Sequence, residues 1–250
     1  IICESWRNLI SAGSKPIAVT NCLNFGNPEN PDIMGEFAET IIGMKEACEF
    51  LNYPVVSGNV SFYNGTNKKN IKPTPVIGGV GLIKNIKNST SQYIKKENSI
   101  IILIGKTFGH LSQSVFFEEI YSIKNGPPPV VNLVNEKNNG EIILKLIENN
   151  LTNAVHDVSS GGLIIALAEM TFNSNYGLKI NKPKKLSNIF EYFYGEDQGR
   201  YLIEVDKKNL EKVVKYLKEN NIFNEIIAVT QKDIFELEGE FKININELYK

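Results

Sequence analysis

Val55-Val56-Ser57-Gly58-Asn59-Val60-Ser61-Phe62-Tyr63-Asn64 reads as a short apolar strand that runs into a loop of Gly, Asn and Ser. Upstream, Asn21-Cys22-Leu23-Asn24-Phe25-Gly26-Asn27-Pro28 repeats the arrangement after a strand over residues 16–20. Loops of this composition present backbone N–H donors and neutral amide oxygens, with no bulky side chain in the way. That is the chemistry needed to hold a phosphate or a phosphate-bound cation. One such loop is ordinary turn chemistry in an Asn-rich chain. Two on neighbouring strands of an α/β unit face the same sheet end, which favours a shared ligand site.

Between the two loops the pattern is helical. Asn30 supplies the N-cap and Pro31 the first position, with Asp32 and Glu36 in the early turns where the helix dipole favours acids. Ile33, Phe37, Ile41, Met44 and Cys48 form one apolar stripe, read as core packing. Asn64-Gly65 is a hairpin-turn signal. Gly78, Gly79 and Gly81 interrupt the next strand and point to a bulge or a close backbone approach. The polar stretch over residues 84–98 is the expected boundary, dividing the chain into 1–90 and 91–250. Beyond it, strands near 100–104, 153–156, 178–180, 201–205 and 226–229 alternate with helices near 112–122, 136–149, 161–173, 186–194 and 207–219. A terminal hairpin turns at Glu238-Gly239. Alternation of this kind predicts an α/β (α+β) fold, a mixed sheet covered by helices.

The totals exclude several classes of function. A chain of 250 residues with 42% hydrophobic and 22% charged residues is globular, and a formal charge of −1 leaves no basic footprint for nucleic acid. Cys3, Cys22 and Cys48 are odd in number and lack CxxC spacing, which argues against a disulfide framework or a zinc site and for a reducing compartment. The apolar run at residues 100–104 is far too short to span a bilayer, so no membrane association is expected. The chain opens at Ile1 in a helix-like pattern, and we expect a segment of something longer.

Gly105-Lys106-Thr107 is not a P-loop, since Ile100 stands where the first glycine is required. No GxGxxG is present, because Lys84 occupies the third glycine position after Gly79 and Gly81. His156-Asp157-Val158-Ser159-Ser160-Gly161-Gly162-Leu163 joins a strand to a helix. It admits either capping by Asp157 or Ser159 or a phosphate contact at the helix start. His110 and His156 have no evident catalytic partner, and His156 is read as a structural hydrogen bonder. Cys22 has no evident base beside it. Gly195-Glu196-Asp197-Gln198-Gly199-Arg200 is either a substrate-binding cluster or a solvated loop.

Taken together, residues 20–28, 55–64, 73–78 and 156–163 resemble the phosphoribosylformylglycinamidine synthase family, in its ATP-using synthetase subunit. The likeness runs from near Ile1 to near Lys250. The Gly/Asp motif at 156–163 is shared with a wider superfamily that includes aminoimidazole ribonucleotide synthetase, selenophosphate synthetase and thiamine-monophosphate kinase. The 20–28 and 55–64 pair is more specific.

The resemblance implies an aminoimidazole-ribonucleotide-synthetase-like fold, with this chain the later part of the second of two tandem copies. Residues 1–90 would be the remainder of an N-terminal-type domain and 91–250 a C-terminal-type domain. It implies ATP as co-substrate, Mg2+, formylglycinamide ribonucleotide as substrate and glutamine-derived ammonia as nitrogen donor, in the cytoplasm. By position, Asn21 and Gly58 would contact ATP, Asn59 would ligate magnesium and Ser61 would bind the ribonucleotide. Asn21 departs from the Asp common in the family; it keeps an acceptor and drops the charge. The family's catalytic histidines and acidic magnesium ligands lie in the first copy. The expected partners are therefore an upstream synthetase domain, a glutaminase and a small accessory subunit, and no catalytic residue is assigned here. The isolated segment is expected to be inactive. A related small-molecule kinase and a non-catalytic scaffold or dimerisation module are the alternatives.

Overall fold

The computed structural model describes residues 1–67, 69–183 and 188–248. The chain falls into two compact units, Ile1–Ile10 with Ser14–Lys84, and Ser11–Gly13 with Asn85–Lys250. In the first, α1 (Ile2–Ser11) precedes β1 (Lys15–Asn24), and α2 (Pro31–Leu51) connects β1 to β2 (Val55–Ser61). A two-residue-stranded hairpin, β3 (Gly65–Thr66) with β4 (Lys69–Asn70), leads to β5 (Thr74–Leu82). The sheet order is β2-β1-β5; β1 runs parallel to β2 and antiparallel to β5. The parallel pair follows from the intervening helix, since a tight turn cannot return a chain in the same direction.

Helix α2 starts as its sequence predicts: Asn30 Oδ1 accepts from Asp32 N at 2.9 Å and Pro31 is the first residue. Asn52 ends it in the left-handed region. The stripe is only partly buried. Ile33, Met44 and Cys48 are in the core, joined by Ala47 and Leu51, whereas Ile41 is exposed. Phe37 instead meets the strand ends: its ring lies edge-on to Phe25 and to Phe62, each with centroids 5.2 Å apart. Both expectations for the glycines of β5 hold. The β1–β5 register shifts between Pro16 and Ala18. A β-carbon at Gly79 would collide with Tyr53 Oη and Ser5 Oγ, so α1 can approach the sheet only because that position is bare.

The strands do not stop short of their Gly/Asn residues: β1 runs to Asn24 and β2 to Ser61, so Asn21, Gly58 and Asn59 lie within the ladder. Asn64-Gly65 is not the hairpin turn either. Gly65 opens β3, whose residues pair Gly65 with Asn70 and Thr66 with Lys69, and Asn67 has φ +52°.

The second unit is a seven-stranded sheet among the described residues. In chain order its elements are β6 (Ile100–Ile104), α3 (Val115–Tyr121), α4 (Leu133–Glu148), β7 (Ala154–Asp157), α5 (Gly162–Thr171), β8 (Tyr176–Ile180), α6 (Ile189–Tyr194), β9 (Tyr201–Val205), α7 (Leu210–Glu219), β10 (Asn224–Lys232), β11 (Ile234–Leu237) and β12 (Phe241–Asn244). The strand order is β12-β11-β8-β10-β6-β9-β7. Every pair is antiparallel except β11 with β8, so the sheet is mixed as expected. All five residues of β6 are buried, as an unbroken apolar run in a central strand should be. Helix α5 packs Leu163, Leu167 and Met170 against Leu178, Leu202 and Phe235. The terminal hairpin turns at Gly239, φ +75°, as expected. The start of the helix expected over 186–194 lies outside the described residues, and its described part begins at Ile189.

Candidate functional site at the β1–β2 strand pair

Pairing across the ladder decides which of the candidate residues meet. Asn21 pairs with Gly58, Cys22 with Asn59, and Asn24 with Ser61. Residues paired this way share a face, and successive residues alternate between faces. Asn21 and Gly58 therefore lie on the face that also carries Val19 and Leu23, both fully or nearly buried. Asn59 and Ser61 lie on the other, with Thr20, Cys22 and Asn24. The four candidates are brought together along one strand pair and split two and two between its faces. Since β2 is an edge strand and exposed along six of its seven positions, both faces open onto the same rim.

On the first face the fit is close. A β-carbon at Gly58 would collide with Asn21 Oδ1, so the amide oxygen of Asn21 rests directly above the Gly58 backbone. Glycine is required there by space, since its φ is not left-handed. On the second face, Asn59 Nδ2 donates to Cys22 Sγ at 3.4 Å. With its nitrogen engaged, the amide has Oδ1 left for a cation. Cys22 also touches Asn24 at 3.6 Å, and Asn24 Nδ2 donates to Thr74 O at 3.1 Å.

The strand ends are held by a residue that the sequence reading took for a turn. Asn64 Nδ2 donates to Phe25 O at 3.1 Å, Ser61 O at 2.9 Å and Ser61 Oγ at 3.0 Å. Asn70 Oδ1 accepts from Asn27 N at 3.0 Å, which fastens the hairpin to the loop after β1. Among the described residues no group of three or more His, Cys, Asp or Glu is placed to hold a metal ion.

In the second unit the polar cluster at residues 195–200 is not a solvated loop, because its charged groups are tied into the fold. Asp197 is buried and accepts the N–H groups of Phe108, Gly109 and His110 at 2.8, 2.9 and 3.3 Å. Arg200 is fully buried and donates to Asp197 O, Gly195 O and Thr107 Oγ1. Glu196 Oε1 accepts from Val115 N and Gly161 N, each at 2.8 Å, at the starts of α3 and α5. At the helix that follows residues 157–160, Gly161 is the N-cap residue of α5, and its backbone N–H is accepted by a carboxylate of the protein itself, Glu196.

His156 does have partners. Its Nε2 lies 2.9 Å from Glu169 Oε2 and its Nδ1 3.6 Å from Asp157 Oδ1. Burial alone would lower its pKa; hydrogen bonds to Asp157 and Glu169 override that and raise it to about 9. Glu169 comes from α5, thirteen residues away, a spacing with no local signal.

Residues 1–83 match AIR synthase related protein, N-terminal domain, and residues 96–239 match AIR synthase related protein, C-terminal domain. The chain belongs to the AIR synthase-related family. Within it, "Phosphoribosylformylglycinamidine synthase subunit PurL" of Pelagibacter ubique is 52% identical over 250 residues, which is 100% of this chain and 34% of that protein. The protein of the same name from Bradyrhizobium diazoefficiens is 43% identical over 247 residues, 99% of this chain and 34% of its own. The chain thus spans about a third of the length of these AIR synthase-related proteins. Among solved structures, T. maritima PurL complexed with FGAR superposes with a TM-score of 0.75 at 16% identity, covering 99% of this chain and 42% of that one. T. maritima PurL complexed with ATP gives 0.72 at 15%, covering 99% and 40%. At such identities the likeness carries the fold.

Proposed function

We propose that this chain is the later portion of an ATP-dependent phosphoribosylformylglycinamidine synthase. In that reaction the γ-phosphoryl group of ATP passes to the amide oxygen of formylglycinamide ribonucleotide, releasing ADP. Glutamine-derived ammonia then adds to the activated carbon, and phosphate leaves as the amidine forms. The observation that carries the reading is the pairing of Asn21 with Gly58 and of Cys22 with Asn59 on one exposed strand pair, in a chain 52% identical to a PurL subunit. These relatives favour the ligase over the kinase and scaffold alternatives.

In this reading the bare Gly58 backbone and the Asn21 amide accept ATP, and Ser61 binds the ribonucleotide. Asn59 Oδ1 fits a magnesium ion: a hard cation accepts a neutral oxygen and fills its other positions with phosphate oxygens and water. Bound there, the ion would neutralise phosphate charge. With Asn in place of Asp at 21, the first face contributes a hydrogen-bond acceptor and no charge. Residues 1–90 act as the remainder of an N-terminal-type domain and 91–250 as a C-terminal-type domain; the family matches over 1–83 and 96–239 support the division. The upstream domain, a glutaminase and a small subunit are the proposed partners, and the cytoplasm the proposed location. No described helix is long and apolar enough to cross a membrane. Isothermal titration of Mg2+-ATP into the full-length protein carrying Gly58→Ala tests the ATP face. The methyl group displaces Asn21 and binding weakens; unchanged affinity would remove Asn21 and Gly58 from the site.

A further inference from the structure

The side chain of Asn64 makes more contacts than tying two strand ends requires. Its two amide hydrogens reach three acceptors, so one goes to Phe25 O and the other is shared between Ser61 O and Ser61 Oγ. The backbone at Asn64 is fixed as well: its N–H donates to Phe25 O at 3.2 Å and its C=O accepts from Ile71 N at 3.2 Å. Ser61 Oγ also has a longer option, donating to Asn64 Oδ1 at 3.3 Å. The hydroxyl therefore stands between two arrangements. In one its proton points inward to Oδ1. In the other Nδ2 holds the oxygen at 3.0 Å and the proton is released outward.

Resting on the assignment of Ser61 to the ribonucleotide, we infer that Asn64 is a positioning residue. It holds the Ser61 oxygen in place as an acceptor, so that the hydroxyl presents its single proton to an anionic phosphate oxygen of the substrate. An aspartate at 64 would have the same shape and the opposite effect. Lacking N–H donors, it would draw the hydroxyl proton inward and set a negative charge beside the phosphate.

The test is titration of formylglycinamide ribonucleotide, and of the corresponding nucleoside without its phosphate, into the full-length protein. Asn64→Ala and Ser61→Ala each weaken ribonucleotide binding about tenfold, and Asn64→Asp weakens it further. Nucleoside binding is unchanged in all three, and Ser61→Ala/Asn64→Ala binds no more weakly than Ser61→Ala. Should Asn64→Ala fail to fold, the isosteric Asn64→Asp carries the comparison. Wild-type ribonucleotide affinity in Asn64→Asp, or full additivity in the double variant, would overturn the inference while leaving Ser61 in the site. Wild-type affinity in Ser61→Ala would remove the assignment beneath it, and the inference with it.

Discussion

At the scale of single residues, the candidate site rests on two amides and the strand positions opposite them. That Asn21, Gly58 and Asn59 belong near one another was legible in the sequence, because two similar motifs flank one helix. Their division between faces was not. It depends on the ladder continuing through residues whose Gly and Asn content suggests a loop, and pairing with β1 outweighs that local preference. His156 is the structural hydrogen bonder expected, but its partner was not legible: Glu169 is adjacent only after α5 packs beside β7. Its raised pKa has a definite sign. Stability from the His156 contacts is fully present below the ordinary value of 6.5 and is lost as pH rises through about 9. Imidazole chemical shifts should therefore titrate near pH 9, and Glu169→Gln should move the midpoint down toward 6.5. A wild-type midpoint at the ordinary value would mean the carboxylates do not hold the proton.

Among elements, α5 was well marked by its apolar run, and its burial of Leu167 behind β8 and β9 follows from that run. Leu167→Ala should destabilise the protein by about 2–5 kcal/mol, read as a lowered midpoint in chemical denaturation; a change below 1 kcal/mol would place the side chain outside the core. At the start of α5 the sequence offered Asp157 and Ser159 close by, but the oxygen that accepts from Gly161 N comes from Glu196, thirty-five residues along, a partner with no local signal. Glu196→Ala leaves the N–H groups of Val115 and Gly161 without their acceptor, costing about 1–3 kcal/mol. Glu196→Gln, which keeps an acceptor oxygen, should cost less. Equal stability of both variants and wild type would show that water replaces the carboxylate at these helix starts.

For the whole molecule, strand and helix alternation carried the fold class, and the seven-stranded mixed sheet follows from it. Strand order was not legible, since β8 lies between β10 and β11 through pairings with no local signature. The candidate site lies within the first unit, on a three-stranded sheet whose edge strand β2 is exposed along nearly its whole length. In the proposed reading this strand pair, with its amides and its glycine, supplies ligand contacts while the reacting groups come from an upstream domain. An amidine-forming assay on the isolated 250 residues should read background; turnover there would contradict the dependence on an upstream domain. The most direct test is Asn59→Ala in the full-length protein, assayed for amidine formation across a magnesium titration. The account predicts turnover reduced by at least about tenfold, partly recovered at high magnesium, as expected for loss of one ligand to a bound cation. Wild-type turnover with an unshifted magnesium dependence would contradict it.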